Sequence, residues 1–147
     1  MRITKDDYYL GIALAVSKRS TCLKRRQGCV IVKNDIIVAT GYNGNPRNNV
    51  NCIDVDKCNR PEGRRNKDYE LCDAVHAEQN ALLAINREQS LNATLYLACE
   101  TFLHGGVNFF YEDEKAEPCG ICFGLIKNAG IKKVITKKGI IWESSMK

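Results

Sequence analysis

A chain of 147 residues is long enough to bury a real core in one domain, and its ordinary apolar share of 44% excludes a disordered or fibrous class. No apolar run approaches the length of a membrane span, and the opening Met1 to Tyr8 carries acids where a secretory leader needs an apolar core. A cytoplasmic protein with no membrane association is therefore expected. The net charge of +5 is modest, and its densest patches are Lys24 to Arg26 and Arg60 to Lys67. Such patches can attract phosphate, on a nucleotide or on a nucleic acid, although most residues of this kind form a solvated surface.

Thr4 followed by Asp7 has the spacing of a helix cap. Leu10, Ala13, Leu14 and Ser17, widened by Tyr9, Ile12 and Val16, then predict a core-packed helix to about Arg19. Gly28–Lys33 and Ile36–Thr40 are β-branched runs joined by Asn34-Asp35, which tolerate the positive φ of a tight hairpin turn. Residues 41–46 (Gly-Tyr-Asn-Gly-Asn-Pro) are turn chemistry with an exposed backbone. Arg47 to Leu71 has little periodicity, a long connection for one domain unless something holds it. Asp73 is the expected N-cap of a helix from Ala74 to about Arg87, with Ala77, Ala81, Leu82 and Ile85 buried. Ala93–Ala98 and Ile131–Thr136 read as strands, with Gly139–Trp142 a short fifth. Pro118 opens a helix from Cys119 to Ala129, which Gly130 stops. Strand, helix, strand in that order predicts a parallel pair with a right-handed crossover. The expected architecture is one three-layer α-β-α domain over residues 1–147, with helices on both faces of a five-stranded mixed sheet.

Eight cysteines in a chain without a leader favour metal binding or catalysis over disulfides, because the cytosol is reducing. Cys119 and Cys122 are spaced to share one helix face at a helix start, where the dipole favours thiolates. His76 supplies an imidazole at another helix start, and three such ligands leave zinc a fourth position for water. A Cys-x-x-Cys alone would fit a redox pair equally well. Joined to His76-Ala77-Glu78, it becomes the His-x-Glu and Pro-Cys-x-x-Cys pattern of zinc deaminases, with Glu78 as proton carrier rather than ligand. That chemistry is hydrolytic: an activated water attacks the amidine carbon of a base while Glu78 moves the protons.

Almost the whole chain resembles the deoxycytidylate (dCMP) deaminase family within the cytidine deaminase fold. The resemblance is carried by residues 19–22 (Arg-Ser-Thr-Cys), Arg26-Gln27-Gly28, Gly41-Tyr42-Asn43-Gly44, Cys72 to Ala81, residues 93–96, residues 118–122 and Asn128 to Lys132. It implies hydrolysis of dCMP to dUMP, the precursor of thymidylate, with Asn43 and Ala77 near sugar and base. It places the phosphate near Arg19, Ser20, Thr21 and Arg26, of which Arg26 is preferred because a guanidinium can bind phosphate oxygens in pairs. It further implies a homo-oligomer, commonly a hexamer, with dCTP and dTTP as effectors. Cys22, Cys52, Cys58 and Cys72 match cysteines of many bacterial and phage members and suit a second, structural zinc that would order the long loop. Cys29 reads as a small core residue.

The chain departs from the compact family pattern between Cys99 and Glu117, where Gly105-Gly106 between apolar segments predicts an inserted hairpin and His104 reads as structural or exposed. Two other functions stay open on sequence alone. A deaminase of nucleic-acid bases is permitted by the basic patches but lacks interleaved stacking aromatics, so nucleic acid is not the expected partner. A non-catalytic zinc-stapled module would give Glu78 no role.

Overall fold

Alternation along the first strand divides the protein into its two sides. The computed structural model describes residues 1–60, 68–103 and 109–145. In β1 (Arg25–Lys33), Val30 and Val32 join Tyr9, Leu10, Ala13, Tyr96, Ala98 and Ile135 in one core, whereas Cys29 and Ile31 join Ala77, Ala81, Leu95, Leu97, Cys122 and Ile126 in another. Helix α1 (Lys5–Ser17) covers the first core, and α3 (Ala77–Leu83) and α5 (Gly120–Asn128) cover the second. The three-layer arrangement follows from a period of two in a strand buried on both faces.

The sheet runs β2 (Ile36–Tyr42), β1, β3 (Thr94–Leu103), β5 (Lys133–Thr136), β6 (Gly139–Glu143), with β4 (Phe109–Glu112) paired to the far end of β3. β3 and β5 are parallel and the other pairs antiparallel, as a mixed sheet requires. Asn34 and Asp35 take φ of 51° and 63°, the left-handed pair of a two-residue hairpin turn. The sixth strand comes from the inserted segment: β3 continues past Ala98 to Leu103, and β4 returns along it. The expected turn at Gly105-Gly106, and His104, lie outside the described residues.

Two glycines set the distance of the helical layers. A Cβ at Gly28 would lie 1.9 Å from the Ala13 carbonyl oxygen, and one at Gly41 would lie 2.4 Å from that of Ala77. Each lets a helix backbone rest directly on a strand.

α1 opens as expected, with Thr4 Oγ1 accepting from the Asp7 amide at 3.1 Å. The predicted helix from Ala74 to Arg87 is corrected in two places. Its start moves to Ala77 with His76 as the cap residue, because Val75 is held extended by a two-way backbone bridge to Gly44 (2.8 and 3.1 Å) and Asp73 therefore cannot cap it. It also stops at Leu83, and a separate turn α4 (Arg87–Ser90) begins at Asn86, whose side chain accepts from the Gln89 amide at 2.9 Å. Among the described residues of the 47–71 connection are a short helix, α2 (Cys52–Val55), and a 3-10 turn at Tyr69–Leu71. Of the basic cluster from 60 to 67, Arg60 alone is described. No helix among the described residues is long and apolar enough to cross a membrane.

Candidate metal centre and substrate cavity

Two helix starts meet at the centre. His76 caps α3 with an extended backbone (φ −73°, ψ 155°), and Cys119, after Pro118, caps α5 likewise (φ −72°, ψ 169°). Extended cap residues point their side chains ahead of the helix, so the imidazole and thiols converge from different elements. His76 Nδ1 lies 3.2 Å from Cys122 Sγ and 3.6 Å from Cys119 Sγ. The three donor atoms fall within 4.8 Å of one another, the only such trio found among the described residues. One imidazole and two thiols that close together fit zinc, which takes nitrogen and sulfur ligands and leaves a fourth position open.

The groups around it are poised by their surroundings. Gln79 Oε1 accepts from the His76 amide at 2.8 Å and fixes the cap. The Cys122 amide donates to Cys119 Sγ at 3.5 Å, and pairing with the Cys122 side chain pulls the Cys119 thiol down to about 4; Cys122 is driven up by the same pairing and by burial. The bond to Cys119 raises His76. Glu78 is 1% exposed, and its Oε2 lies 3.6 Å from Cys122 Sγ. Burial pushes its carboxyl above the ordinary carboxylate range, a state suited to carrying a proton.

A cavity opens from this centre. His76, Glu78 and Cys119 line it together with Gln27, Asn43, Tyr69, Lys24, Arg25 and Arg60. The Tyr69 ring sits edge-on to the His76 ring at 5.3 Å, and the Arg60 guanidinium lies over Tyr69, also at 5.3 Å. Asn43 is buried and uses its amide to brace β1: Oδ1 accepts from the Gln27 amide at 2.8 Å and Nδ2 donates to the Arg25 carbonyl at 3.0 Å.

The sequence-derived contacts are distributed unevenly. Asn43 lines the cavity. Thr21 exchanges hydrogen bonds with Asn45, and Ser20 Oγ accepts from the Cys22 amide, so both brace the loop beside it. Arg19 is exposed beyond α1, and Ala77 is wholly buried against Gly41. Arg26 is turned away from the cavity: as an even-numbered residue of β1 it faces the α1 side, where its guanidinium covers the Phe110 ring at 3.7 Å and sits 3.7 Å from Glu100. The cations that do line the cavity, Lys24, Arg25 and Arg60, belong to the two basic patches the sequence marks for phosphate, although Arg26 was preferred among them; the neutral Gln27 and Tyr69 were missed. Extending the strand's alternation back to Arg25 would have placed Arg25 and Gln27 there. Cys22, Cys58 and Cys72 line the same cavity, whereas Cys52 begins α2, its amide donating to Asn45 Oδ1 at 3.0 Å.

With this geometry in view, the comparisons agree. Residues 3–138 match the family described as the cytidine and deoxycytidylate deaminase zinc-binding region, and the chain belongs to that family. It is similar to the deoxycytidylate deaminase of Saccharomyces cerevisiae, 38% identical over 138 residues, covering 92% of this chain and 38% of that protein. The deoxycytidylate deaminase of Mycobacterium phage D29 is 36% identical over 137 residues, covering 90% of this chain and 94% of the phage protein. Among solved structures, the dCMP deaminase of cyanophage S-TIM5 in complex with dCMP and dUMP superposes with a TM-score of 0.60 at 26% identity, covering 92% of this chain and 83% of that one. The chain spans well under half the length of the yeast relative.

Proposed function

We propose that this protein catalyses zinc-dependent hydrolytic deamination of dCMP to dUMP in the cytoplasm, residues 1–147 acting as one domain. The observation that carries the reading is the convergence of His76, Cys119 and Cys122 with the buried Glu78 at a cavity lined by Lys24, Arg25 and Arg60 as well as Glu117. The similar phage enzyme bound to dCMP and dUMP supports the choice of nucleotide.

His76, Cys119 and Cys122 would hold the zinc, which supplies a Lewis acid that makes water nucleophilic near neutral pH. Water adds to C4 of cytosine. Glu78 takes a proton from that water and passes it to ring N3, then carries a second proton to the amino group, which leaves as ammonia. The sum is dCMP plus water to dUMP plus ammonia. Asn43 holds β1 and the loop at the cavity in register, and Lys24, Arg25 and Arg60 supply positive charge for the phosphate. A second, structural zinc on Cys22, Cys52, Cys58 and Cys72 belongs to the same reading through the family resemblance alone: Cys22, Cys58 and Cys72 line the cavity, but the four thiols do not form a metal-holding cluster among the described residues. A homo-oligomeric, hexameric assembly with dCTP and dTTP as effectors belongs to the same reading.

Incubating the zinc-loaded protein with dCMP, dCTP, deoxycytidine and cytidine, and measuring ammonia and the uracil product, tests this directly. Turnover fastest with dCMP is expected. Turnover of single-stranded DNA or transfer RNA in place of free dCMP would overturn it.

A further inference from the structure

The inserted segment meets the cavity at Glu117, which lines it, and at Asp113, which touches the cavity-lining Arg25. Asp113 follows β4, and its amide donates to the Cys99 carbonyl at 2.7 Å, which fixes the chain beside β3. Its Oδ1 accepts from the Lys115 amide at 3.0 Å, and its Oδ2 from Thr101 Oγ1 at 3.0 Å. With both oxygens oriented in this way, Oδ2 also faces the Arg25 guanidinium, 3.4 Å from Nη2. Arg25 lines the cavity, and its side chain is 22% exposed. Its Nε is buried with no hydrogen-bond partner. Arg26 Nε shares that condition, but its guanidinium covers Phe110 on the other face of the sheet.

An arginine that lines a cavity, is fixed at one edge by a carboxylate and keeps one buried donor unmatched is prepared for an acceptor that arrives with a ligand. A phosphate has the geometry for the guanidinium fork. We propose that Asp113 is a positioning residue that aims Arg25 at the 5′-phosphate of the substrate, so that the insertion sets the preference for nucleotide over nucleoside. This rests on the dCMP reading. Of the neighbouring cations, Lys24 lines the cavity while its Nζ donates to the Arg60 carbonyl at 3.1 Å, and Arg26 pairs with Glu100 on the other face.

The test compares dCMP with deoxycytidine in the zinc-loaded wild type and in Arg25→Gln, Asp113→Asn and Thr101→Val. Loss of one charge-assisted contact should raise KM for dCMP about tenfold or more in the first two, with kcat within about threefold and KM for deoxycytidine far less affected. Thr101→Val, which removes only one bond to Asp113, should shift the same ratio in the same direction by a smaller factor; it serves as the readout if Asp113→Asn does not fold. Equal losses on both substrates, or wild-type KM in Asp113→Asn, would overturn the proposal. Should the wild type leave dCMP unchanged, the deaminase reading falls, and calorimetry with dUMP and deoxyuridine decides the positioning role separately. A tenfold loss of dUMP affinity alone supports it, and unchanged affinity overturns it.

Discussion

Gly41 and Ala77 touch through their backbones: a Cβ at position 41 would lie 2.4 Å from the Ala77 carbonyl oxygen and 2.5 Å from the Ala81 amide nitrogen. This contact seats the first turn of α3 on β2 and so fixes where His76 and Glu78 begin. Gly41→Ala should lower stability by about 1–3 kcal/mol through overpacking. It should also reduce bound zinc, because His76 moves with the helix. Thermal melting and metal content measured together check both; a melting point and zinc content equal to wild type would show that the helix can shift freely.

Glu78→Gln keeps the size of the side chain and removes its ability to take up a proton. Bound zinc should stay at the wild-type level while kcat falls by about 10²–10⁴-fold. Steady-state kinetics on dCMP, paired with metal analysis, separates this from loss of the site. Full turnover would remove Glu78 from the mechanism.

Removal of a ligand should act on the metal first. Cys122→Ser should abolish zinc at the His76 centre and activity with it, and chelation of the wild type should do the same until zinc is restored. The wild type should carry two zinc ions per chain, the second on Cys22, Cys52, Cys58 and Cys72. A count of one by atomic absorption would leave those four as unliganded thiols.

Away from the site, Asp35 ties the hairpin turn to α1, accepting from Lys5 Nζ at 2.7 Å and from the Tyr9 hydroxyl at 2.6 Å. The Lys5 bond, then the Tyr9 bond, hold the Asp35 carboxyl below its usual value, and Tyr9 is pushed up to about 12, chiefly by the same carboxylate. A lowered acid contributes stability above its unfolded pKa and loses it as pH falls through the folded one. A raised tyrosine contributes below its unfolded pKa and loses it as pH rises toward about 12. Asp35→Asn should therefore melt a few degrees lower than wild type near pH 7, with the gap closing in acid. Melting curves across pH check the sign.

The sequence by itself determined the donor set of the candidate metal centre. His76, Glu78, Cys119 and Cys122 were legible because a metal centre needs particular donor atoms at spacings that helix starts impose, and those demands are local. The main elements were legible for the same reason: Leu10, Ala13 and Ser17 keep helical spacing, and Asn34-Asp35 can adopt left-handed φ whatever surrounds them. Other features depended on partners distant in the chain. Gly44, through its bridge to Val75, moved the start of α3 from Ala74 to Ala77, a backbone contact that no local pattern encodes. Which arginine faces the cavity depended on β1 continuing back past Gly28 to Arg25, where pairing with the extended β3 keeps the chain in a strand and its alternation turns Arg25 in and Arg26 out. The insertion, a departure in the sequence, became a sixth strand only when β3 had a free edge beyond β5 for β4 to pair with. Donor identity is written residue by residue, whereas facing, register and edge availability exist only once the sheet has closed around them.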